Sequence, residues 1–213
     1  MRLSLSISLL ALIALSGGCF GSSHSVKPIA YEQRLLVAVG DMQNQTGNEE
    51  YNNSMDGLTG SLLDALQETD CFRLIERQRL KSLLEEMKLG MTGLLDPKKT
   101  KEVGQLLGVD AILFVNLASV KYASNVDNAF IAKSEREKFE IIVDARLVAV
   151  TSGEILATVK IKSHYSKTIG TAFGFITSGQ KADKKLVVQD SIEGSLQQMA
   201  NELAWKISRR KKT

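Results

Sequence analysis

The sequence predicts an α+β domain: a mixed sheet with helices packed on it, an antiparallel hairpin and a long C-terminal helix. Three observations carry this. Through the first half, short apolar runs that read as buried strands alternate with segments of helical period. Two stretches of strict alternation joined by a tight turn come next. From Leu186 to Ser208 apolar positions then recur at helical spacing.

The chain opens with Arg2, an apolar stretch from Leu3 to Leu15, and Ser16-Gly17-Gly18-Cys19. One positive charge, an apolar segment and a small-residue site make a secretory signal, too short for a spanning helix of ~20 residues. The segment resembles a bacterial lipoprotein signal, in which the cysteine is acylated and becomes the first mature residue. Cys19 is then the predicted lipidation site, although Ser16 stands where leucine is usual. Each buried methylene of an acyl chain contributes ~0.8 kcal/mol, so a multiply acylated N-terminus stays on its membrane. The alternative is ordinary secretion with cleavage near Gly18, leaving Cys19 a plain thiol.

The expected division is a signal over 1–18, a lipidated start and polar tether over 19–33, one domain over 34–209 and a basic tail over 210–213. Removal of the signal leaves 195 of 213 residues, enough for a real core. Of the 27 Lys and Arg, five lie at Arg2 and Arg209 to Lys212, leaving 22 against 24 acidic residues. Such a balance offers no basic face for nucleic acid. The Arg209-Arg210-Lys211-Lys212 run reads as a frayed, solvated tail. With Cys19 acylated, Cys71 is the only remaining thiol, no internal disulfide forms, and a small buried apolar role is expected for it.

Leu35 to Val39 reads as a buried strand, followed by a polar loop from Gln43 to Asn53. Leu58, Leu62, Leu63, Ala65 and Leu66 fall at helical spacing, with Ser54 as the expected cap. Phe72 to Ile75 is a short strand. Arg77 to Lys88 is an amphipathic helix carrying Leu80, Leu83, Leu84 and Met87, stopped by Gly90. Asp96-Pro97 opens a third helix as cap and first-turn proline, and Gly108 ends it. Ala111 to Val115 is the next strand. Phe139, Ile141, Val143, Ala145, Leu147 and Ala149 alternate with polar residues, Thr151 to Glu154 turns the chain, and Ile155, Ala157, Val159 and Ile161 return it. The last helix carries Ile192, Leu196, Met199, Leu203 and Ile207 on one face.

These blocks resemble the CsgG family of curli production assembly and transport lipoproteins. The matching stretches are Val37-Ala38-Val39 with Asn44-Gln45-Thr46-Gly47, Cys71 to Leu80, Leu83-Leu84-Glu85-Glu86, Leu106 to Ile112, Arg146-Leu147-Val148 and Thr151 to Leu156, colinear over about residues 34–162. The resemblance implies a ring of subunits at the outer membrane, two β-hairpins per subunit in a barrel, and passage of unfolded subunits without nucleotide hydrolysis. It also implies a constriction loop near the first helix. Here only Tyr51, Asn52 and Asn53 would stand in for the family's aromatic and asparagine ring; the alternative is a polar loop with an incidental tyrosine.

The chain departs from the family at the pore-forming stretches. A spanning strand needs ~9–11 residues with one lipid-facing set of side chains. The first candidate hairpin, 119–143, contains Lys133 to Lys138, whose charges would have to sit at its tip or rim. The second, 165–188, has an apolar rising half from Ile169 to Ile176, but its return would carry Lys181, Asp183, Lys184 and Lys185.

Enzyme chemistry is not expected. The sequence holds no phosphate-cradling glycine loop and no dinucleotide fingerprint. His24 and His164 lack metal-ligand spacing to each other or to either cysteine. Glu85-Glu86 reads as a solvated helix surface. No catalytic residue, metal or cofactor is therefore predicted. The expected function is an outer-membrane lipoprotein facing the periplasm, working as a homo-oligomer that supports secretion or surface assembly of extracellular subunits. Helix and strand edges would pair between neighbours, and the Gln43 to Asn53 loops would line the opening. The competing expectation is a lipid-anchored module without a pore, binding an envelope-assembly or cell-wall synthesis partner.

Overall fold

A computed structural model describes residues 26–55, 57–90, 96–172, 175–178 and 183–210. The chain is α+β, built on one seven-stranded mixed sheet. Its strands are β1 (Leu35–Val39), β2 (Gln43–Asn44), β3 (Phe72–Leu74), β4 (Ala111–Ala129), β5 (Ala132–Ala149), β6 (Ile155–Ala172) and β7 (Phe175–Ser178). The helices are α1 (Leu58–Glu68), α2 (Arg77–Glu86), α3 (Pro97–Leu107) and α4 (Lys184–Arg210). The spatial order is β3-β1-β4-β5-β6-β7, with β2 set beside β4. β1 runs parallel to both β3 and β4, and β4 to β7 form an antiparallel meander. This division follows the connections: helices return the chain between the early parallel strands, and tight turns join the later ones.

Each face of the sheet has its own core. On one, Val37, Leu113, Val115, Leu117 and the alternating β5 residues from Phe139 to Leu147 meet α1 and α4. The predicted stripe of α4 lies wholly inside, with Ile192, Leu196, Met199, Leu203 and Ile207 all exposed by 2% or less. Each such side chain contributes ~1.5–3 kcal/mol when fully buried, which is why a 27-residue helix stays on the sheet along its length. On the other face, Ala38, Ile112 and Phe114 pack against Leu80 and Leu84 of α2 and Val103 and Leu107 of α3. These two helices cover only the end of the sheet near β1.

The helix starts follow local chemistry. Asp96 caps α3 by accepting from the Lys98 amide at 2.9 Å, with Pro97 at the first position and Gly108 closing the helix in the left-handed region. α1 starts differently from the expectation. Ser54 belongs to a preceding 3-10 turn (Glu49–Ser54), and the residue at the helix start is Gly57, whose φ of 83° lets the chain swing from that turn into the helix. α2 ends at Glu86, ahead of Gly90.

The main departure is strand length. β4, β5 and β6 run for 19, 18 and 18 residues, well beyond the apolar runs that announce them. A bulge at Leu117/Ser119 lets β4 continue in register with β5 out to Ala129 opposite Ala132. A second bulge at Leu147/Val148 places Ile155 opposite Val148, off the buried face expected for it, and leaves it 47% exposed. His164, expected beyond a strand, lies inside β6. At the C-terminus Arg209 and Arg210 form the last turn of α4 rather than a frayed tail. Arg210 pairs with Glu154 at 3.1 Å and Arg209 lies over the Trp205 ring. Lys211 and Lys212 lie outside the described residues.

Candidate functional site: a three-stranded arm

The long parts of β4, β5 and β6 project past the helical layers as an arm of three antiparallel strands. The core face supports its base. Tyr122 and Phe139 are directly opposed with ring centroids 4.9 Å apart, and Phe139 meets Tyr165 edge-on at 6.0 Å. Val187 and Val188 of α4 are buried in the same core as Phe139, and the Lys184 ammonium sits 4.0 Å from the centroid of the Tyr122 ring. Ser163 and Ser195 share a hydrogen bond of 2.7 Å between β6 and α4. The first turns of α4 thus clamp the arm where it leaves the domain.

Just beyond the ring cluster sits a charged residue that hydrophobic patterning does not flag. Glu137 is 2% exposed and accepts a hydrogen bond of 3.1 Å from the Tyr122 hydroxyl. In register, Lys167 of β6 lies beside it. Desolvation first, and then the bond to Glu137, push the Tyr122 phenol above its ordinary range.

The opposite face of the arm has no helix over it and is mostly polar. Glu140 accepts from Lys121 at 3.2 Å and Lys162 at 2.7 Å, and these two ammonium groups hold its carboxyl below the usual range. Asn116 donates to Asp144 at 2.9 Å, and Arg146 lies over Phe114. Arg136, Lys138 and Lys160 are exposed on the same face.

Neither face supplies a lipid-facing set. The β5 residues 132–142 read Ala, Ser, Arg, Lys, Glu, Ile on one side and Lys, Glu, Glu, Phe, Ile on the other. A lysine or arginine facing lipid at the bilayer midplane costs ~2–4 kcal/mol. The charged run Lys133 to Lys138 fills β5 from the second position past the tip turn, opposite Asn128 to Ala123. In the second candidate hairpin the return strand β7 has four residues, and Lys184 and Lys185 belong to the first turn of α4. Lys181 lies outside the described residues, as do Phe173 and Gly174. Apolar exposure on the arm gathers at its tip, where Phe130 and Ile131 form the β4–β5 turn and Phe175 follows β6. Among the described residues no helix is long and apolar enough to cross a membrane.

The loop before α1 is built around one asparagine. The Asn44 amide nitrogen donates to the Asn48 carbonyl at 2.7 Å and to Asn52 Oδ1 at 2.8 Å, while its oxygen accepts from the Thr46 amide and hydroxyl. Asn48 then caps the 3-10 turn through the Glu50 amide. Asn52 and Asn53 are exposed on this turn, and Tyr51 is half-buried with its ring against the α4-side core. Burial and the neighbouring Glu50 raise the Tyr51 phenol. The loop therefore brings Asn52 to Asn44 and sends Tyr51 inward.

Cys71 is fully buried, its amide donating a long bond of 3.4 Å to the Thr69 hydroxyl and its sulfur 3.8 Å from the Lys27 carbonyl. Val26 and Ile29, in the stretch read as a tether, pack on the same core. Cys19 and His24 lie outside the described residues. Glu85 and Glu86 are exposed on α2, and no group of three or more metal-ligating side chains occurs among the described residues.

No curated protein matches the chain. Among solved structures it is similar to the C-terminal domain of LpoB from Salmonella enterica, with 18% identity and a TM-score of 0.42 over 61% of this chain and 82% of that one. It is similar also to the lipoprotein GNA1162 from Neisseria meningitidis, with 16% identity and a TM-score of 0.43 over 78% and 99%. The profile of the curli production assembly/transport component CsgG matches residues 24–212, nearly the whole sequence. The chain belongs to the CsgG family.

Proposed function

We propose that the protein is a non-enzymatic, lipid-anchored envelope component that supports secretion or surface assembly by docking on a protein partner in the periplasm, without building a pore. Cys19 supplies the outer-membrane attachment in this reading, and the domain faces the periplasm. The observation that carries it is the arm. It has the strand length of a membrane hairpin, yet its outer side carries charge from Glu140 to Arg136 and its core side carries Glu137, Glu135 and Lys133 beyond Phe139, so neither side is a lipid-facing set. Such a surface suits water and polar partners. The test is Cys19→Ser followed by cell fractionation. Release into the soluble periplasm is expected, because lipid is the only attachment; retention in the membrane under high-salt and carbonate washing contradicts the reading.

A second reading is the homo-oligomeric secretion channel of the curli type. Two observations favour it: family membership over residues 24–212, and the exposed Phe130, Ile131 and Phe175 at the tip. In that reading the Tyr51, Asn52 and Asn53 turn lines the opening, and the arm must rearrange to find a lipid-facing side.

A further inference from the structure

We infer that the outer edge of β6 takes up an extended segment of a partner protein as an added strand, and that this segment alternates acidic residues with small or apolar ones. The inference rests on the docking reading above and names the surface it uses. β6 pairs with β5 without a break from Ala157 to Ala172, whereas β7 covers only Gly170 to Ala172 on its other side. The parity of the ladder fixes where the remaining main-chain groups point. Ala149 donates across the hairpin to the Glu154 carbonyl, so odd-numbered β5 residues bond β6, and their partners from Ala157 to Tyr165 are odd-numbered too. The alternate residues Thr158, Lys160, Lys162, His164 and Ser166 therefore send their N–H and C=O groups outward. Lys206 of α4 donates to the first of these carbonyls at 2.6 Å. Among the described residues nothing takes the N–H and C=O groups of the other four. The opposite edge of the sheet is guarded: β3 has three residues, and beside it the Ile29 amide donates to the Asp70 carbonyl.

Bare N–H and C=O groups along an edge are a template for another strand. The side chains choose which strand. Those of Lys160, Lys162 and His164 are exposed on the bare face of the sheet, with Lys138 opposite Ser166. Glu140 is already held by Lys121 and Lys162, and Asp144 accepts from Asn116, so the local field is positive. Residues of an added strand on this face favour carboxylates, because opposite charges across a strand pair stabilise it and like charges do not. The alternate residues turn toward the flank of α4. There Leu186 is 56% exposed beside Tyr165, and Trp205 borders the strand near Ile155, so small and apolar side chains suit them. The charge rule also disfavours a second copy at this edge. Two β6 strands paired antiparallel about Lys162 set lysine against lysine and Lys160 against His164. An acidic partner segment removes that repulsion, while the main-chain bonds supply affinity and the alternate side chains specificity.

The test uses the full chain in detergent and two short probe peptides, one alternating glutamate with valine and one with lysine in place of glutamate. In the free chain, amide exchange read by NMR should be fast at Lys160, Lys162, His164 and Ser166 and slow at Ile161, Ser163 and Tyr165 between them. The glutamate peptide should slow the fast set, leave the slow set unchanged, and bind about tenfold or more tightly than the lysine peptide. His164→Pro removes one outward donor without breaking the β5 ladder, a place where an edge strand tolerates proline, and should abolish binding. Lys160→Glu leaves the backbone intact; it should weaken the glutamate peptide and strengthen the lysine one, and it decides the matter if circular dichroism shows His164→Pro unfolded. Four results would overturn the inference: alternate amides already protected in the free chain, protection by the peptide appearing elsewhere, equal affinity for the two peptides, or no binding of the glutamate peptide. Protection of the alternate amides that grows with protein concentration alone would assign the edge to a second copy and overturn it equally. None of these readouts depends on Cys19, so a silent edge leaves the docking reading standing, and membrane retention of Cys19→Ser removes that reading whatever the peptides do.

Discussion

Gly104 gives the sharpest energetic test of how the second helical layer is held. A β carbon added there would lie 2.2 and 2.6 Å from the two γ-methyls of Val150 and 2.9 Å from its Cβ. The methyls can rotate, but the Cβ moves only with the backbone, and the Val150 amide is bound to the Asp110 carbonyl at 3.0 Å. In an exposed helix glycine to alanine gains ~1 kcal/mol from propensity. Overpacking a filled site costs ~1–3 kcal/mol, and a clash that includes a Cβ belongs at the upper end or beyond. The clash wins, and Gly104→Ala should lose ~1–2 kcal/mol net. For a domain of this size that lowers the thermal midpoint by ~2–8 °C. Val150→Ala alone removes two methyl-sized groups at ~0.8 kcal/mol each, plus a cavity term. In the Gly104→Ala background it should cost less, because the new methyl occupies part of the space the two γ-methyls vacate, while the contact with the remaining Cβ at 2.9 Å persists. The double-mutant cycle, read by urea and thermal unfolding, should therefore show a favourable coupling of ~1 kcal/mol. A Gly104→Ala protein as stable as the parent, or more stable, refutes the close approach of α3 to the end of β5.

Three further outcomes follow from local geometry. Asn44→Ala removes four hydrogen bonds within its own loop, so it should cost ~1–2 kcal/mol and speed amide exchange over residues 45–53 while leaving β5 protected; exchange spreading through the sheet would show that the loop is not a separate unit. Burial raises the Cys71 thiol in the fold, so its stabilising contribution is complete below the ordinary thiol range and is lost as pH rises above ~8.5. Iodoacetamide should label it only on unfolding, and rapid labelling of folded protein would contradict its placement. The two lysines depress the Glu140 carboxyl, so their help is present above ~4.3 and disappears as pH falls through the lower folded value. Its carboxyl carbon shift should titrate below the normal carboxylate range in wild type and move up in Lys162→Ala; an unchanged midpoint would remove that pair from the account.

The parts of this fold legible in the sequence are those where burial writes a period. The apolar run of β1, the alternation from Phe139 to Ala149 and the stripe of α4 each appear where expected, because each faces a helix or the sheet on one side. Beyond its base the arm was legible only through the family resemblance, whose candidate hairpin over 119–143 is the β4–β5 pair; hydrophobic periodicity does not show it. Past Val120 the strand continues as Lys121-Tyr122-Ala123-Ser124-Asn125, where, apart from the Tyr122 ring on Phe139, both sides meet water or polar neighbours, and cross-strand pairing keeps the chain extended. Bulges are equally silent: nothing in Ile155 announces that a shift at Val148 turns it outward. Gly57 displaced Ser54 at the start of α1 because the segment before it already coils as a 3-10 turn, which the asparagine-rich composition does not reveal.

The central claim is that the arm works in water and forms no channel wall. Planar-bilayer conductance of the detergent-purified full chain tests it most directly. The account predicts silent membranes at all protein concentrations; large, discrete conductance steps that disappear on omission of the protein would contradict it.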